Sequence, residues 1–297
     1  MKVQEKLILI RFGKINFFLI FNYNMSNQIK PVDIDESKYN TAELDPFIFP
    51  SLSVFVGHVA SGKSTLLYNL IEMTKPVFDG NVILISPTLL NDPIQQKMIE
   101  DDLILEHYDY FNNDLMRHIL DAIKEDEDEK YLIVFDDILS MTPKHMTKEG
   151  RYWNSYISQY RHRPHEGQVS LMFFLQYFKD LSPVIRSNLS YLGLLGVHSE
   201  KHIKQYAEEL SAATGGTEES FNKCYNEAKA GKYDFLLLDF RKLRALKNLD
   251  TILYDRDKEF ENKDQQSSND EDDLKKKKDD LDKEESKLKE ELKTKYK

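Results

Sequence analysis

The sequence GHVASGKST at residues 57–65 decides the fold, because it matches the pattern G-x-x-x-x-G-K-[ST] at every fixed position. An apolar run, SLSVFV, precedes it, and a helix-like segment, STLLYNLIEM, continues from its last residues. Glycines allow backbone N–H groups to approach phosphate oxygens, and the N-terminus of the following helix adds a favourable dipole. We therefore expect a nucleotide-phosphate-binding loop formed by Gly57, His58, Val59, Ala60, Ser61, Gly62, Lys63, Ser64 and Thr65.

Residues with chemical roles are expected in this loop and at the end of a second apolar run. In this motif, Lys63 contacts the β- and γ-phosphates, and the Ser64 hydroxyl binds Mg²⁺. The run YLIVF at 131–135 is followed by two carboxylates, the form of a Walker B strand. Asp136 is expected to complete the Mg²⁺ site opposite Ser64, and Asp137 to polarise the attacking water.

A third apolar run, at 169–175, ends in Gln176. Chemistry collects at the carboxyl ends of parallel strands, so Gln176 is expected to sense the γ-phosphate or to position water. Arg161, Arg163 and Arg186 are candidates for an arginine finger that reaches the nucleotide of a neighbouring subunit, and Arg186 is the first choice. Contact with DNA phosphates is the alternative role for the same basic residues.

Outward from the loop, short apolar runs alternate with helix-like segments between residues 47 and 250. Strands are predicted at 51–56, 81–86, 131–135, 169–175, 189–196 and 233–238, and helices at 63–73, 113–124, 152–160 and 200–211. Runs that are apolar at nearly every position are typical of strands buried on both faces. The pattern predicts an α/β fold, a P-loop NTPase with a mostly parallel central sheet flanked by helices.

Composition excludes several classes of protein. Of the 297 residues, 40% are hydrophobic, which is enough for a substantial core and argues against wholesale disorder. The single cysteine, Cys224, excludes an internal disulfide framework and a cysteine-based zinc site, and favours a reducing compartment. A net charge of −10 argues against a globally basic nucleic-acid-binding surface.

The two ends of the chain differ in composition from the predicted ATPase domain at 47–250. In the extension at 1–46, Arg11 and Lys14 interrupt the apolar residues, so no run reaches the length of a membrane span, and no stable membrane insertion is expected. Translation from Met25 is an open alternative. The segment 251–297 is rich in Lys, Asp and Glu, which predicts a disordered or partly helical tail. Leucines at 274, 281 and 288 leave a short coiled coil open.

Taken together, the motifs resemble those of a known family. GHVASGKST, LIVFDD, SQYRH, LMFFLQ and SPVIRSNLSYLGLL, spread over about residues 47–240, are similar to the genome-packaging ATPases of large eukaryotic DNA viruses and their virophage and transposon relatives. That poxvirus-type family is a branch of the FtsK–HerA superfamily. The phrase from Gln176 through 182–190 is the most specific part of the resemblance, whereas the first thirty residues and the tail have no counterpart.

The resemblance implies an ATP-driven motor that translocates viral double-stranded DNA into preformed capsids, with ATP and Mg²⁺ as cofactors. It also implies a homo-oligomeric ring, in which Arg186 acts across the subunit interface, and a capsid or portal-vertex protein as a partner. The implied location is the host cytoplasm, at the virus factory, and the virion.

The phosphate-binding loop is also found in proteins with other functions. Another DNA-translocating P-loop ATPase, a helicase or a DNA-segregating pump, is the alternative, although such proteins usually carry accessory domains for which this chain has little room. A nucleotide kinase or GTPase is disfavoured, because the sequence has neither an N-K-x-D motif nor an arginine-rich lid. Intact Lys63, Ser64 and Asp136 argue against an inactive scaffold protein.

Overall fold

The computed structural model describes residues 6–12, 15–21, 42–126, 129–138, 148–162 and 168–259. The chain forms two compact units, Met1–Lys38 and Tyr39–Lys297. In the first unit, β1 (Lys6–Phe12) and β2 (Ile15–Phe21) pair as an antiparallel hairpin. Among the described residues, no helix has the length and apolar character needed to cross a membrane. Met25 and the tail from residue 260, with its leucine repeat, lie outside the described residues.

The second unit is built from strands and helices that alternate along the chain. Its strands are β3 (Ala42–Leu44), β4 (Phe47–Phe49), β5 (Leu52–Val56), β6 (Val82–Ile85), β7 (Glu106–Tyr108), β8 (Tyr131–Asp136), β9 (Val169–Leu175), β10 (Tyr191–Leu195), β11 (Phe235–Asp239), β12 (Arg244–Lys247) and β13 (Thr251–Asp255). Its helices are α1 (Lys63–Phe78), α2 (Pro93–Glu100), α3 (Asn113–Lys124), α4 (Lys148–Ser158), α5 (Pro183–Arg186), α6 (Glu200–Leu210) and α7 (Glu218–Ala228).

Nine of these strands form one central sheet, in the order β13-β12-β11-β10-β5-β9-β8-β6-β7. The six strands from β10 to β7 are parallel, and β11, β12 and β13 add to the β10 side as an antiparallel extension. The two remaining strands, β3 and β4, pair as a separate hairpin. The mostly parallel α/β sheet that the sequence predicts is therefore confirmed.

Both faces of the sheet are covered, which explains why its central strands are apolar at successive positions. In β8, Ile133 and Phe135 join a core with residues of α3, α4, α6 and α7, whereas Leu132 and Val134 join a second core with residues of α1, α2 and the β3–β4 hairpin. Side chains alternate between the two faces of a strand, so a strand buried on both faces needs apolar residues throughout.

The structure adds elements that the apolar pattern does not reveal, and they lie mainly at the edges of the sheet. The edge strand β7 is EHY, with two exposed residues, and β13 at the other edge is only partly buried. Edge strands bury less of each side chain, so they lack the continuous apolar run that marks a central strand. Through β13 the sheet continues past residue 250, the boundary expected from composition.

Candidate active site

The predicted phosphate-binding loop connects β5 to α1, at the edge of the sheet where the parallel strands end. A cleft of about 930 Å³ opens there. It is lined by most of the loop, the first residues of α1, the residues before and at the start of α2, the end of β8, and residues of β10 and β11. Because β5, β8, β9 and β10 run parallel, polar residues that follow different strands converge at this edge.

The backbone of the loop has a shape that requires small residues. Gly62 has φ +91° and Ala60 has φ +62°, both in the left-handed region. A Cβ atom on Gly57 would lie 2.4 Å from Ser61 Oγ and 2.9 Å from Leu195 Cβ, so no side chain fits there. The loop thus folds closely enough on itself for its N–H groups to face one ligand.

The N-terminus of α1 is open to an anion. Its N-cap is Gly62, which contributes no side-chain hydrogen bond, whereas α2, α3, α6 and α7 each have a capping side chain. The first N–H groups of a helix have no partner within the helix, and the dipole gives them a partial positive charge. A phosphate group fits this cradle because it supplies the missing acceptors.

The Lys63 side chain lies across the loop and reaches the cleft. Its Nζ donates hydrogen bonds to Gly57 O at 2.8 Å and to His58 O at 3.3 Å. Lys63 therefore brings a positive charge to the same place as the N-terminus of α1.

Ser64 has a partner that the sequence reasoning missed. Its Oγ donates to Asp92 Oδ2 at 2.8 Å, and the other oxygen of Asp92 caps α2 by accepting from Ile94 N at 2.8 Å. Asp92 is followed by Pro93, which is a helix-start signal after a predicted strand, and this signal could have located the residue. Ser64, Asp92 and Asp136 all line the cleft.

The Asp136 carboxylate is buried, with 7% of its surface exposed, and is held by two donors. Its Oδ2 accepts from Gln95 Nε2 at 2.6 Å and from Ser86 Oγ at 3.3 Å. Burial and, next, the nearby charge of Asp137 raise the pKa of Asp136, Lys63 acts in the opposite direction, and the net result is a pKa of about 7. A cation would favour the ionised form of this carboxylate.

The oxygen atoms of Ser64, Asp136 and Asp92 are the ligand type that Mg²⁺ prefers. No cluster of three His, Cys, Asp or Glu side chains in the described part of the chain is arranged to hold a metal by itself. The donor set fits an ion that takes one or two protein ligands and completes its shell with water and phosphate oxygens, which is the usual mode for Mg²⁺.

Asp137 and Gln176 lie next to each other, although 39 positions separate them in the sequence. Gln176 Nε2 donates to Asp137 Oδ2 at 3.1 Å, and the backbone N–H of Asp137 donates to Phe174 O at 3.0 Å. Asp137 lines the cleft and has φ +48°, a left-handed conformation that is uncommon for a residue with a side chain. The two predicted catalytic groups at the ends of β8 and β9 therefore form one unit.

Arg186 lies away from these residues. It ends α5 and does not line the cleft; its Nη1 pairs with Glu209 Oε2 of α6 at 2.8 Å, and its guanidinium lies 5.5 Å from the centre of the Phe178 ring. Arg161 is exposed on a short 3-10 turn, and Arg163 lies outside the described residues. Within one subunit, none of the described candidate arginines reaches the cleft.

No family model matches this chain, and no curated protein matches it in sequence. Among solved structures, it is similar to the genome packaging NTPase B204 from Sulfolobus turreted icosahedral virus 2 in complex with ATP-gammaS. The TM-score is 0.52 at 18% identity, over 69% of this chain and 98% of that chain. This chain has the fold of a viral genome-packaging NTPase. The resemblance expected from the motifs is thereby confirmed for the fold.

A second solved structure with this packaging-NTPase fold gives the same result. It is the DNA-packaging ATPase B204 from Sulfolobus turreted icosahedral virus, with a TM-score of 0.51 at 15% identity, over 67% of this chain and 96% of that chain. The likeness therefore covers nearly the full length of both relatives and about two thirds of this chain.

Proposed function

We propose that this protein is a Mg²⁺-dependent ATPase that translocates viral double-stranded DNA into preformed capsids. The observation that carries the proposal is the convergence, in one cleft, of an uncapped helix N-terminus, Lys63 and the carboxylates Asp136 and Asp137. The similarity in fold to packaging NTPases, one of them solved with ATP-gammaS, supports the same activity.

The residues of the cleft divide the work of ATP hydrolysis. The loop N–H groups and Lys63 would bind the β- and γ-phosphates, and Ser64 and Asp136 would hold Mg²⁺, which would neutralise charge on the phosphate oxygens. Asp137 would accept a proton from the attacking water as the water oxygen bonds to the γ-phosphorus. The bond between the γ-phosphorus and its bridging oxygen breaks at the same time, which releases ADP and phosphate. Gln176 keeps the Asp137 carboxylate oriented through its hydrogen bond.

The other partners follow from the motor function. The chain would act as a homo-oligomeric ring on double-stranded DNA, bind a capsid or portal-vertex protein, and work in the host cytoplasm and the virion. Because Arg186 lies outside its own cleft, it is available to act in trans on the nucleotide of a neighbouring subunit. In that arrangement its guanidinium would exchange Glu209 for phosphate oxygens.

An ATPase assay with and without double-stranded DNA tests the proposal. Wild-type protein should hydrolyse ATP only with Mg²⁺, and linear double-stranded DNA should raise the rate. Lys63→Ala should lose at least about 100-fold in rate, because a charge that stabilises the transition state is gone. Lys75→Ala, which removes an exposed lysine from the last turn of the same helix, is the matched control and should leave the rate unchanged.

Two results would count against this function. A Lys63→Ala variant with wild-type hydrolysis would show that the cleft is not the ATPase site. An ATPase that DNA stimulates but that unwinds forked DNA, without translocating along intact duplex, would favour the helicase alternative.

A further inference from the structure

The cleft extends beyond the groups that bind phosphates. Gly62, Thr65 and Asn69 line it along one side of α1, and Tyr233 and Phe235 line it from the region where β11 begins. From Gly62 to Asn69 is about 10 Å along a helix that rises 1.5 Å per residue. A volume of about 930 Å³ is also more than a triphosphate alone would fill.

We infer that Tyr233 stacks on the base of the bound nucleotide. This inference rests on the proposed ATPase function and adds to it the group that binds the nucleoside. Lys63, Ser64, Asp136 and Asp137 act on the phosphates, the metal and the attacking water, and none of them binds the nucleoside.

The position of Tyr233 is the first argument. A Cβ atom on Gly62, the last glycine of the loop, would lie 3.4 Å from Tyr233 Cδ1, so the ring is in van der Waals contact range of the phosphate-binding loop. Phe235, the first residue of β11, and Leu195, the last residue of β10, line the same cleft. Tyr233 therefore lies within reach of a ligand whose phosphates occupy the loop.

The exposure of the Tyr233 ring is the second argument. The side chain is 59% exposed, whereas Phe235, two residues later, is only 5% exposed and belongs to the core. A large aromatic side chain that is exposed in a ligand cleft offers a flat apolar face, and nucleobases bind such faces by stacking.

Stacking on Tyr233 would select for a ligand that contains a nucleobase, but it would not distinguish one base from another. Every nucleobase has a π face, so a stacking residue increases affinity without reading the hydrogen-bonding pattern of the base. The expected ligand is a nucleoside triphosphate, and a substitution at Tyr233 should weaken the binding of ATP and of GTP by similar factors.

Calorimetric titration of the full chain with two ligands, ATP and inorganic tripolyphosphate, separates the base from the phosphates. Tyr233→Ala should raise the Kd for ATP by about 5- to 100-fold, the range expected for loss of one stacked base. Its Kd for tripolyphosphate should stay within about twofold of wild type, since that ligand has no base. Tyr233→Phe keeps the ring and should restore ATP binding.

Tyr110→Ala is the matched control, because Tyr110 is also exposed and does not line the cleft. It should change neither Kd. Thermal unfolding should confirm that Tyr233→Ala folds, as expected for a substitution at an exposed position.

Three outcomes would overturn the inference. An unchanged Kd for ATP in Tyr233→Ala would show that the ring does not contact the base, and an accompanying change in oligomeric state would assign it to a subunit contact. Equal losses for ATP and tripolyphosphate would assign Tyr233 to the shape of the loop. Wild-type protein that binds neither ligand would refute the proposed ATPase function itself, which is a different result from either of these.

Discussion

Gln176 Nε2 donates a hydrogen bond to Asp137 Oδ2 at 3.1 Å. This bond connects the residues that follow the neighbouring strands β9 and β8. Asp137 has φ +48°, a conformation that costs free energy for a non-glycine residue and persists where its surroundings hold it. The bond leaves Asp137 with a second carboxylate oxygen for water. We therefore expect Gln176 to position the Asp137 carboxylate, which is the proposed general base.

The first prediction concerns this pair. Asp137→Asn should lower kcat by about 10²- to 10⁴-fold, because the proton acceptor is lost. Gln176→Ala should lower kcat by less, and the double variant should be no slower than Asp137→Asn alone, because Gln176 acts through the aspartate. Steady-state kinetics of the three variants test this coupling, and losses that multiply would show that Gln176 acts independently on the phosphate.

The second prediction concerns the buried carboxylate of Asp136. Burial is the largest cause that raises its pKa to about 7, and the charge of Asp137 is the second. The Asp136 carboxyl group therefore resists ionisation in the folded state. Stability from this group is present in full below the unfolded pKa of about 4, and it is lost as the pH rises through 7. Asp136→Asn should therefore raise the Tm in EDTA at pH 8 and increase the free energy of unfolding there by up to about 4 kcal/mol.

The same Asp136→Asn variant should lose the Mg²⁺ dependence of nucleotide binding, so that stability and function change in opposite directions. Melting curves in EDTA between pH 5 and pH 9 measure the first effect, and Mg²⁺ titrations of ATP binding measure the second. Asp121→Asn, which alters an exposed carboxylate on α3, should show neither effect. A lower Tm for Asp136→Asn at pH 8 would contradict the assigned cause of the pKa shift.

The third prediction concerns Asp92, which holds the Ser64 hydroxyl at 2.8 Å. Asn is a good helix N-cap, because its Oδ1 can accept from Ile94 N and Gln95 N as Asp92 Oδ1 does, while its Nδ2 can donate to Ser64 Oγ. Asp92→Asn should therefore fold normally. Loss of its charge beside the predicted metal ligands should raise the Mg²⁺ concentration for half-maximal ATPase activity by about 10-fold or more. Asp101→Asn, at the other end of α2, is the control, and an unchanged Mg²⁺ requirement in Asp92→Asn would leave Asp92 as a helix cap only.

The fourth prediction concerns His198, which follows β10 and is buried, with 4% of its surface exposed. Burial lowers its pKa to about 4, and the neighbouring charges of His58, Lys229 and His202 contribute to the shift. The unfolded state thus binds more protons between about pH 6.5 and pH 4, and the protein loses up to about 3 kcal/mol of stability as the pH falls through that range.

His198→Phe keeps an aromatic ring against Tyr206 and removes the titrating group. Its free energy of unfolding, measured by urea denaturation, should fall less than that of wild type between pH 6.5 and pH 4. The exposed residue His118 provides the control, since His118→Gln should keep the wild-type pH dependence. Parallel curves for all three proteins would show that His198 is not the source of acid sensitivity.

The fifth prediction concerns Arg186 and the assembly of subunits. A finger that acts in trans should make specific activity rise with protein concentration, and Arg186→Ala should lose rate without losing ATP affinity. Mixtures of Lys63→Ala and Arg186→Ala subunits rebuild an intact site at one type of interface, and their activity should exceed that of either variant alone. A proven monomer that hydrolyses ATP at the full rate would exclude this role and favour a contact with DNA phosphate.

Local sequence alone predicted the elements that are defined by local interactions. The phosphate-binding loop is recognisable because its glycines, Lys63 and Ser64 are consecutive, and α3 matches its predicted range because an amphipathic pattern and the Asn112 cap both mark it. The central strands were predicted because burial on both faces demands an unbroken apolar run. The ends of these strands then indicated Asp136, Asp137 and Gln176.

Only the tertiary structure decided which side chains meet. The order of the sheet places β8 beside β9, which brings Gln176 to Asp137, and strand order depends on packing between distant segments. Asp92 comes from the start of a helix 28 residues beyond Ser64, and Tyr233 comes from the turn before β11, the strand that pairs with the far side of β10. Neither belongs to a consecutive motif. Their place in the cleft follows from long-range pairing and burial, which no local pattern of residues specifies.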